Sequence, residues 1–341
     1  MTSRRKVDLI ENMTVARRRS DTSLRRLMRR SARRSVRSAL PPAQGLPGHD
    51  RHMLEAMSLT RVVGDHDLIA PTVVVAFDAW VDAGSASSSA AELLAGGGTV
   101  VASFESDLLY DYRARRPTLD ILDGRPASLE WPELALRRTR LGERDVLVLA
   151  GPEPDFRWRE LAQDTVGLAR ELGVEQWISL GAIPAAVPHT RPVPVLGTES
   201  SPGLLRGGVQ PGPAGLLRVP SAAISVLDLA MAQAGVPALG YFAQIPHYVS
   251  GTYPAAAIEL LRAIGRHLDV VIHLGSLPDE AEQLRSRLDT ATAVDEKTRA
   301  YVERLEGMVD ESRLPAGDEL ISEIERFLRE RGDEQGGGRI H

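Results

Sequence analysis

The sequence predicts an α/β protein with three layers, in which helices cover both faces of a mostly parallel sheet and a helical extension follows. The first observation is an alternation of strand-like apolar runs with helix-length segments through the middle of the 341-residue chain. The second is the change after Tyr253, where strand-like runs stop and charged helical patterns continue. A hydrophobic content of 43% is sufficient for a substantial core.

The strands are predicted from short runs rich in β-branched residues. The run TVVVAF at residues 72–77 lies between Pro71 and Asp78, and its continuous apolar character is typical of a strand buried on both faces. We therefore expect this strand near the centre of the sheet. Similar patterns predict further strands at residues 99–104, 145–151, 177–182 and 238–245.

The helices are predicted between and after these strands. A segment of small residues ends at Gly96 and joins the first two strands into an expected βαβ unit. Two more helices are expected at about residues 158–172 and 222–234. Four charged helices are expected after the last strand, at residues 255–267, 279–293, 295–311 and 318–331.

The charge distribution divides the chain into regions. Residues 1–40 contain 13 Lys/Arg and 3 Asp/Glu, whereas the remainder carries a net charge of −15. We expect a disordered basic tail and linker at 1–52, an α/β domain at 59–275, a helical extension at 276–332 and a disordered tail at 333–341. The basic tail is interpreted as a solvated extension, or as upstream sequence preceding the true start; weak nucleic-acid binding is the alternative.

Composition and missing motifs exclude several classes of function. The chain contains no cysteine, so disulfides, thiolate metal sites and a cysteine nucleophile are excluded. It has no apolar run of about 18 residues, which argues against a membrane partner and favours the cytosol. The dinucleotide, P-loop, nucleophile-elbow and zincin motifs are also missing. We therefore predict neither a cofactor nor a metal.

Candidate functional residues follow the predicted strands, because ligands bind beyond the carboxyl ends of strands in such sheets. Asp78, Asp82 and Ser85 follow the first strand, and Gly84 permits a tight turn among them. The two carboxylates are suited to binding a metal or acting as bases. Capping of the next helix by Asp82 or Ser85 explains the same residue types equally well.

The loop after the second strand is rich in aromatic and charged residues. Its candidate residues are Asp107, Tyr110, Asp111 and Arg116. This mixture suits a protein interface or a polar pocket, with the interface favoured.

Two later loops carry histidines. Several prolines stiffen the loop that holds His189 and Arg191, which favours an anion site, although a single histidine is more often structural. His247 and Tyr248 follow the last predicted strand. Both histidines could lie close to an aspartate of the first two loops, but the sequence does not specify the distances between them.

An ordered set of motifs resembles the actinobacterial branch of the proteasome assembly chaperone 2 (PAC2) family. The motifs extend from about residue 73 to residue 306 and read FDAWVDAGSAS, RRP, EWP, GPEPDFRW, VPHTRPVPV, GPAGLL, IPHYVSGTYPAAAIELL and YVERLE. The resemblance implies an α/β/α fold of the phosphorylase/hydrolase-like type, self-association into a homo-oligomer, and proteasome subunits as partners. The motif residues Asp78, Asp82, His189, Arg191, His247 and Tyr248 carry over as family positions without assigned roles.

The chain departs from the family at its C-terminus. Eukaryotic relatives dock through a terminal hydrophobic residue, tyrosine and any residue, whereas this chain ends in Arg339, Ile340 and His341. The resemblance therefore favours a non-enzymatic protein-binding or assembly role without docking by that mode. A small-molecule enzyme, either a hydrolase or an ATP-grasp-like ligase, is the alternative, and convergence of the loops on one concave site is the feature that supports it.

Overall fold

The structure is a computed structural model that describes residues 58–64, 67–213 and 215–313. The predicted basic tail and linker, the predicted helix at 318–331 and the predicted C-terminal tail lie outside the described residues. No helix within the described ranges combines the length and apolar character needed to cross a membrane.

Eleven strands occur in the described part of the chain, and nine of them form one mixed sheet. The strands are β1 (Thr60–Val62), β2 (Thr72–Asp78), β3 (Thr99–Phe104), β4 (Thr118–Leu122), β5 (Arg125–Glu130), β6 (Ala135–Leu141), β7 (Arg144–Pro152), β8 (Gln176–Ala185), β9 (Val195–Glu199), β10 (Gln210–Pro211) and β11 (Ala238–Pro246). The order in the large sheet is β1-β3-β6-β7-β2-β8-β11-β9-β10, and β4 pairs only with β5 in a separate hairpin.

The centre of the sheet is parallel, as predicted. Strands β7, β2, β8 and β11 run in the same direction, so their carboxyl ends meet at one edge. The side chains of β2 alternate between two cores, with Val74 facing one and Val73 and Val75 facing the other. Burial of both faces explains why this strand is apolar at every position from Val73 to Phe77.

Antiparallel strands flank this centre on both sides, which makes the sheet mixed. The pairs β1–β3, β3–β6, β6–β7 and β11–β9 are all antiparallel. Strands β6 and β7 lie between β2 and β3, so the two strands of the expected βαβ unit are not neighbours. A tight turn at Gly142, whose φ is +64°, joins β6 to β7.

Helices cover both faces of the sheet, which confirms the predicted fold class. They are α1 (Ala86–Ala95), α2 (Ser106–Leu109), α3 (Trp158–Glu171), α4 (Ala223–Gln233), α5 (Pro254–Leu268), α6 (Leu277–Val294) and α7 (Glu296–Arg313). Helices α1, α5 and the start of α6 contribute to one core, whereas α3 and α4 contribute to the other. Helices α6 and α7 form the helical C-terminal region.

Candidate functional site

The first loop serves to begin helix α1. Asp82 Oδ1 accepts hydrogen bonds from the backbone N–H groups of Ser87 and Ser88 at 2.8 and 3.2 Å. It also accepts one from the Ser87 hydroxyl at 2.6 Å, while the Ser88 hydroxyl donates to Oδ2 at the same distance. These bonds satisfy donors of the first helical turn, so the structure favours the capping interpretation of Asp82.

Two further residues give the first loop its shape. Gly84 has a φ of +63° and its carbonyl accepts the Tyr253 N–H at 2.8 Å, which ties this loop to the start of α5. Ser85 also has a positive φ, of 48°, and is exposed without making a side-chain cap. Ser85 is therefore not the capping residue that the sequence offered as an alternative to Asp82.

An arginine joins the first loop to the second and third. Arg115 Nη1 donates to Asp78 Oδ1 at 3.1 Å, and Arg115 Nε lies 3.6 Å from Asp155 Oδ1. The backbone N–H of Glu153 also donates to Asp78 Oδ1, at 3.2 Å. We call Asp78, Arg115 and Asp155 the Arg115 cluster; it follows the carboxyl ends of β2 and β7.

The other candidates of the second loop hold its backbone and surface in place. Tyr110 is 3% exposed and donates its hydroxyl to the Pro152 carbonyl at 2.9 Å, and burial raises the pKa of this phenol. The Asp111 backbone donates to Asp155 Oδ2 at 2.9 Å. Asp107 accepts from the Tyr112 hydroxyl at 2.6 Å. Arg116 is exposed, while Arg115, which the sequence did not distinguish from its neighbours, makes the ion pairs.

The two histidines meet through Tyr248. The His189 backbone N–H donates to Tyr248 Oη at 2.8 Å, and the same oxygen lies 2.7 Å from His189 Nδ1. Nε2 lies 3.2 Å from Asp289 Oδ1, which accepts, so Nε2 carries a proton. In the tautomer with this single ring proton, Nδ1 accepts from the Tyr248 hydroxyl. Burial raises the pKa of Tyr248, so the phenol stays a neutral donor. Both ring nitrogens of His189 thus have partners within the chain.

His247 has a similar pair of partners. Its Nδ1 lies 3.0 Å from the Ala185 carbonyl, which can only accept, so Nδ1 carries the proton. Its Nε2 therefore accepts from the Tyr301 hydroxyl at 3.1 Å. The rings of His247, Tyr248 and Tyr301 contact one another edge to face, with centroids 5.7 to 6.3 Å apart.

Arg191 completes the contacts with the C-terminal helices. Its Nε and Nη2 donate to the two carboxylate oxygens of Asp310 at 3.0 and 2.7 Å, and Nη1 lies 3.3 Å from Glu306 Oε1. Thr190 also donates to Glu306. We call His189, Arg191, His247 and Tyr248, together with these helical partners, the His189 cluster. The expectation of an anion site at Arg191 is not supported, because carboxylates of the chain itself occupy the guanidinium.

The helical partners are the residues that sequence reasoning missed. Asp289 lies on α6, and Tyr301, Glu306 and Asp310 lie on α7. The sequence shows only that these helices have charged faces. The motif YVERLE, which includes Tyr301 and Glu306, was the one signal that pointed to this part of the chain.

The two histidines and the aspartates of the first two loops have different hydrogen-bond partners. Asp78 contacts Arg115, whereas His189 and His247 contact Tyr248, the Ala185 carbonyl and residues of α6 and α7. Among the described residues, no hydrogen bond joins either histidine to an aspartate of the first two loops. Within residues 58–64, 67–213 and 215–313, no group of three or more histidine, aspartate or glutamate side chains is arranged to hold a metal ion.

A groove lies beside the His189 cluster, between helices α5 and α6. It has a volume of about 410 Å³, which is within the range of small-molecule sites. We call it the α5–α6 groove; its lining includes His189, Arg191, Val193, Ile258, Arg262, Ala281, Leu284, Arg285 and Leu288.

Beside the Arg115 cluster the surface is apolar and open. Every residue of β4 and β5 is exposed, and Leu119, Ile121, Leu122 and Leu129 are exposed by 46 to 69%. We call these four side chains the hairpin surface. Trp131, which follows β5, is 49% exposed and packs its ring against Tyr112 at 4.7 Å.

Two more aromatic side chains are exposed at this edge of the sheet. Trp80 follows β2 and is 64% exposed, and Phe156 follows β7 and is 49% exposed. Because β2 and β7 are paired neighbours whose last residues, Asp78 and Pro152, are in register, these two aromatic residues follow adjacent strand ends. This part of the sheet edge therefore carries exposed large apolar groups.

Comparisons with known proteins point to one family. The sequence profile of the PAC2 family matches residues 76–292. A PAC2 family protein from Streptomyces avermitilis is 35% identical, with a TM-score of 0.60, and the match covers 68% of this chain and 99% of that one. A proteasome-assembly chaperone homologue from Mycobacterium tuberculosis is 34% identical, with a TM-score of 0.62 and the same coverage of both chains.

A third solved structure extends the match. A protein of unknown function from Corynebacterium glutamicum is 32% identical, with a TM-score of 0.68, and the match covers 74% of this chain and 98% of that one. Among curated proteins, none matches this chain.

Proposed function

The chain belongs to the PAC2 family, and from that premise we propose that it is a cytosolic, non-enzymatic protein-binding protein that acts in proteasome assembly as a homo-oligomer. The observation that carries the proposal is the hairpin surface. A two-stranded hairpin is at best marginally stable in water on its own, yet all residues of β4 and β5 are exposed. Contact with another protein chain would cover its apolar side chains.

The polar groups of the loops support the same proposal. Arg115 binds Asp78 and approaches Asp155, and both ring nitrogens of His189 and of His247 have partners within the chain. Such side chains serve to hold loops in place, which leaves exposed apolar groups as the available recognition elements. A relative described as a proteasome-assembly chaperone homologue suggests proteasome subunits as the partner.

Binding of purified proteasome α-subunits by the full chain tests the proposal. We expect the double variant Ile121→Arg/Leu129→Arg to lose binding by at least about tenfold, because two charges would enter a desolvated interface. Val271→Arg is the matched control, since Val271 is 93% exposed and follows helix α5 rather than belonging to the β4–β5 hairpin. Equal binding by both variants, or no binding by the unmodified chain, would contradict the assembly role.

Sedimentation velocity of the full chain tests the homo-oligomer separately. A monomer at micromolar concentration would contradict self-association without affecting the measurement on α-subunits. The same double variant shows whether self-association also uses the hairpin surface.

A small-molecule enzyme remains the second candidate, because the α5–α6 groove has the volume of a ligand site. His189 and Tyr253 are titratable rings in its lining. Burial raises the pKa of Tyr253 to about 12, and the His189 ring is already bound by Tyr248 and Asp289. Enzymatic turnover that is lost in His189→Gln, while the fold is retained, would favour this candidate over the binding role.

A further inference from the structure

Helix α6 leaves much of its apolar stripe uncovered. Leu277 is the one side chain of this 18-residue helix that is buried. Ala281, Leu284 and Leu288 continue the stripe at helical spacing but are only partly buried, and all three line the α5–α6 groove. The opposite wall includes Val193 and Ile258. An apolar groove of this kind is suited to an amphipathic helix.

The chain leaves the described structure beside this groove. Arg191 lines the groove and binds Glu306 and Asp310 of α7. Helix α7 ends at Arg313, only about 5 Å further along the helix axis than Asp310. Residues 314–341 follow directly in the sequence, so the described chain ends near the rim of the groove.

The sequence of this segment matches the groove in pattern and charge. Its apolar residues recur at the spacing of one helix face, and they are Leu320, Ile321, Ile324, Phe327 and Leu328. Four acidic residues precede the first basic one, Arg326; they are Asp318, Glu319, Glu323 and Glu325. The groove carries Arg262 and Arg285, whose side chains are 55 and 49% exposed. Arg262 also contacts Glu259 at 2.6 Å and Arg285 lies 3.8 Å from Asp289, so the segment would share these arginines with carboxylates of the groove.

We propose that residues 318–328 bind as an amphipathic helix in the α5–α6 groove of the same chain. Their apolar face covers Leu284, Leu288 and Ile258, and their acidic first half lies toward Arg262 and Arg285. Residues 314–317 span up to about 13 Å when extended, enough to turn the chain back from the end of α7. The segment then completes the core on the outer side of α6.

Site-specific crosslinking of the full chain tests this placement. Because the protein has no cysteine, Ile324→Cys provides a single attachment point for a benzophenone maleimide. Ser322→Cys is the matched control, since position 322 lies on the opposite face of the proposed helix. We expect photocrosslinks from position 324 to residues 255–262 and 278–288 within a monomer-sized product, and at least about fivefold fewer from position 322.

Three outcomes would overturn the proposal. Crosslinks from position 324 to another surface would show that the segment binds elsewhere. A dimer-sized product would show that a second copy supplies the segment, and a label at position 324 that reacts only with solvent would show that the groove stays open.

Hydrogen exchange of the full chain provides an independent measurement. Replacing both Ile324 and Leu328 with aspartate should release the segment and accelerate amide exchange of residues 281–288 by about tenfold, because the groove loses its cover. Ser322→Asp should leave that exchange unchanged. Equal exchange in the double variant and the unmodified chain would overturn the proposal, whatever the result for binding of proteasome subunits.

Discussion

Two clusters of polar side chains occupy the same edge of one sheet. The His189 ring is covered, whereas the Asp78 carboxylate is half exposed, although Arg115 and Asp155 beside it are only about one quarter exposed. The Arg115 cluster follows β2 and β7, and the Asp78 side chain is 51% exposed. The His189 cluster follows β8 and β11, lies beneath α6 and α7, and the His189 side chain is 1% exposed. A covered polar group must have all its partners within the fold, whereas an open one is free to exchange partners with water. The covered cluster should therefore contribute to stability and the open edge to recognition.

The largest effect is expected at His189. Replacing His189 with alanine keeps the backbone N–H bond to Tyr248 Oη, but it removes the ring that contacts the Tyr248 hydroxyl and Asp289 and opens a cavity. We expect a loss of about 2 to 4 kcal/mol in the free energy of unfolding, measured by urea denaturation. His247→Ala is the control and should cost about 1 kcal/mol or less, because His247 is exposed. Equal costs for both would mean that the C-terminal helices do not protect His189.

A smaller effect is expected from Tyr248→Phe. The variant removes the hydroxyl that accepts from the His189 N–H and donates to Nδ1, which should cost about 1 to 2 kcal/mol in urea unfolding. Tyr112→Phe removes a phenol hydroxyl beside the open cluster, where water replaces the Asp107 contact, and should change stability by about 0.5 kcal/mol or less. A larger loss of unfolding free energy for Tyr112→Phe than for Tyr248→Phe would contradict the conclusion that the His189 cluster contributes more to stability than the open edge.

Tyr248 also gives the free energy of unfolding a pH dependence with a defined sign. Burial raises the folded-state pKa of Tyr248 above its ordinary value of 10.0. Its stabilising contribution is therefore complete below about pH 10 and is lost as pH rises through the folded-state pKa. We expect the free energy of unfolding of Tyr248→Phe to fall less steeply above pH 10 than that of the unmodified chain. Parallel pH profiles would show that Tyr248 ionises as freely in the fold as in the unfolded chain.

Sequence patterns predicted the centre of the fold because burial on both faces makes the middle segments of β2, β7, β8 and β11 mostly apolar. The flanks were missed for the opposite reason. Strand β6 contains three arginines among seven residues, and the β4–β5 hairpin is exposed on every side. Neither shows the alternation that a half-buried strand requires. The turn at Gly142 was the available signal for β6.

The candidate residues were predicted because they follow the ends of strands, whereas their partners on helices α6 and α7 were not predicted. His189 and Asp289 are 100 residues apart, and Arg191 and Asp310 are 119 apart. Strand ends limit where a loop begins, but no local pattern specifies which turn of a later helix packs on it. Similarly, the segment RARR at residues 113–116 contains three arginines. The sequence does not show which of them binds Asp78, and the structure shows that it is Arg115.

A modest effect is expected at the open cluster from Arg115→Met. The variant keeps most of the aliphatic stem and removes the guanidinium between Asp78 and Asp155. Since Asp78 is half exposed and water can solvate it, we expect a cost of about 1 kcal/mol or less in urea unfolding. Arg113→Met is the control with no expected change, because that exposed arginine uses its backbone N–H in binding Asp111. A cost near that of His189→Ala would mean that the cluster is covered.

The smallest effect on stability is expected from Trp80→Ser at the open edge. Trp80 is 64% exposed, so its removal should change the free energy of unfolding by about 0.5 kcal/mol or less. The same change removes apolar area that a binding partner would cover, so self-association or α-subunit binding should weaken by about tenfold. Val271→Ser, at another exposed apolar position, should change neither quantity. A stability loss above about 1.5 kcal/mol would show that Trp80 packs in the core. Unchanged binding would show that Trp80 does not belong to the recognition surface. The two measurements together therefore distinguish a packing residue from a residue that contacts a partner.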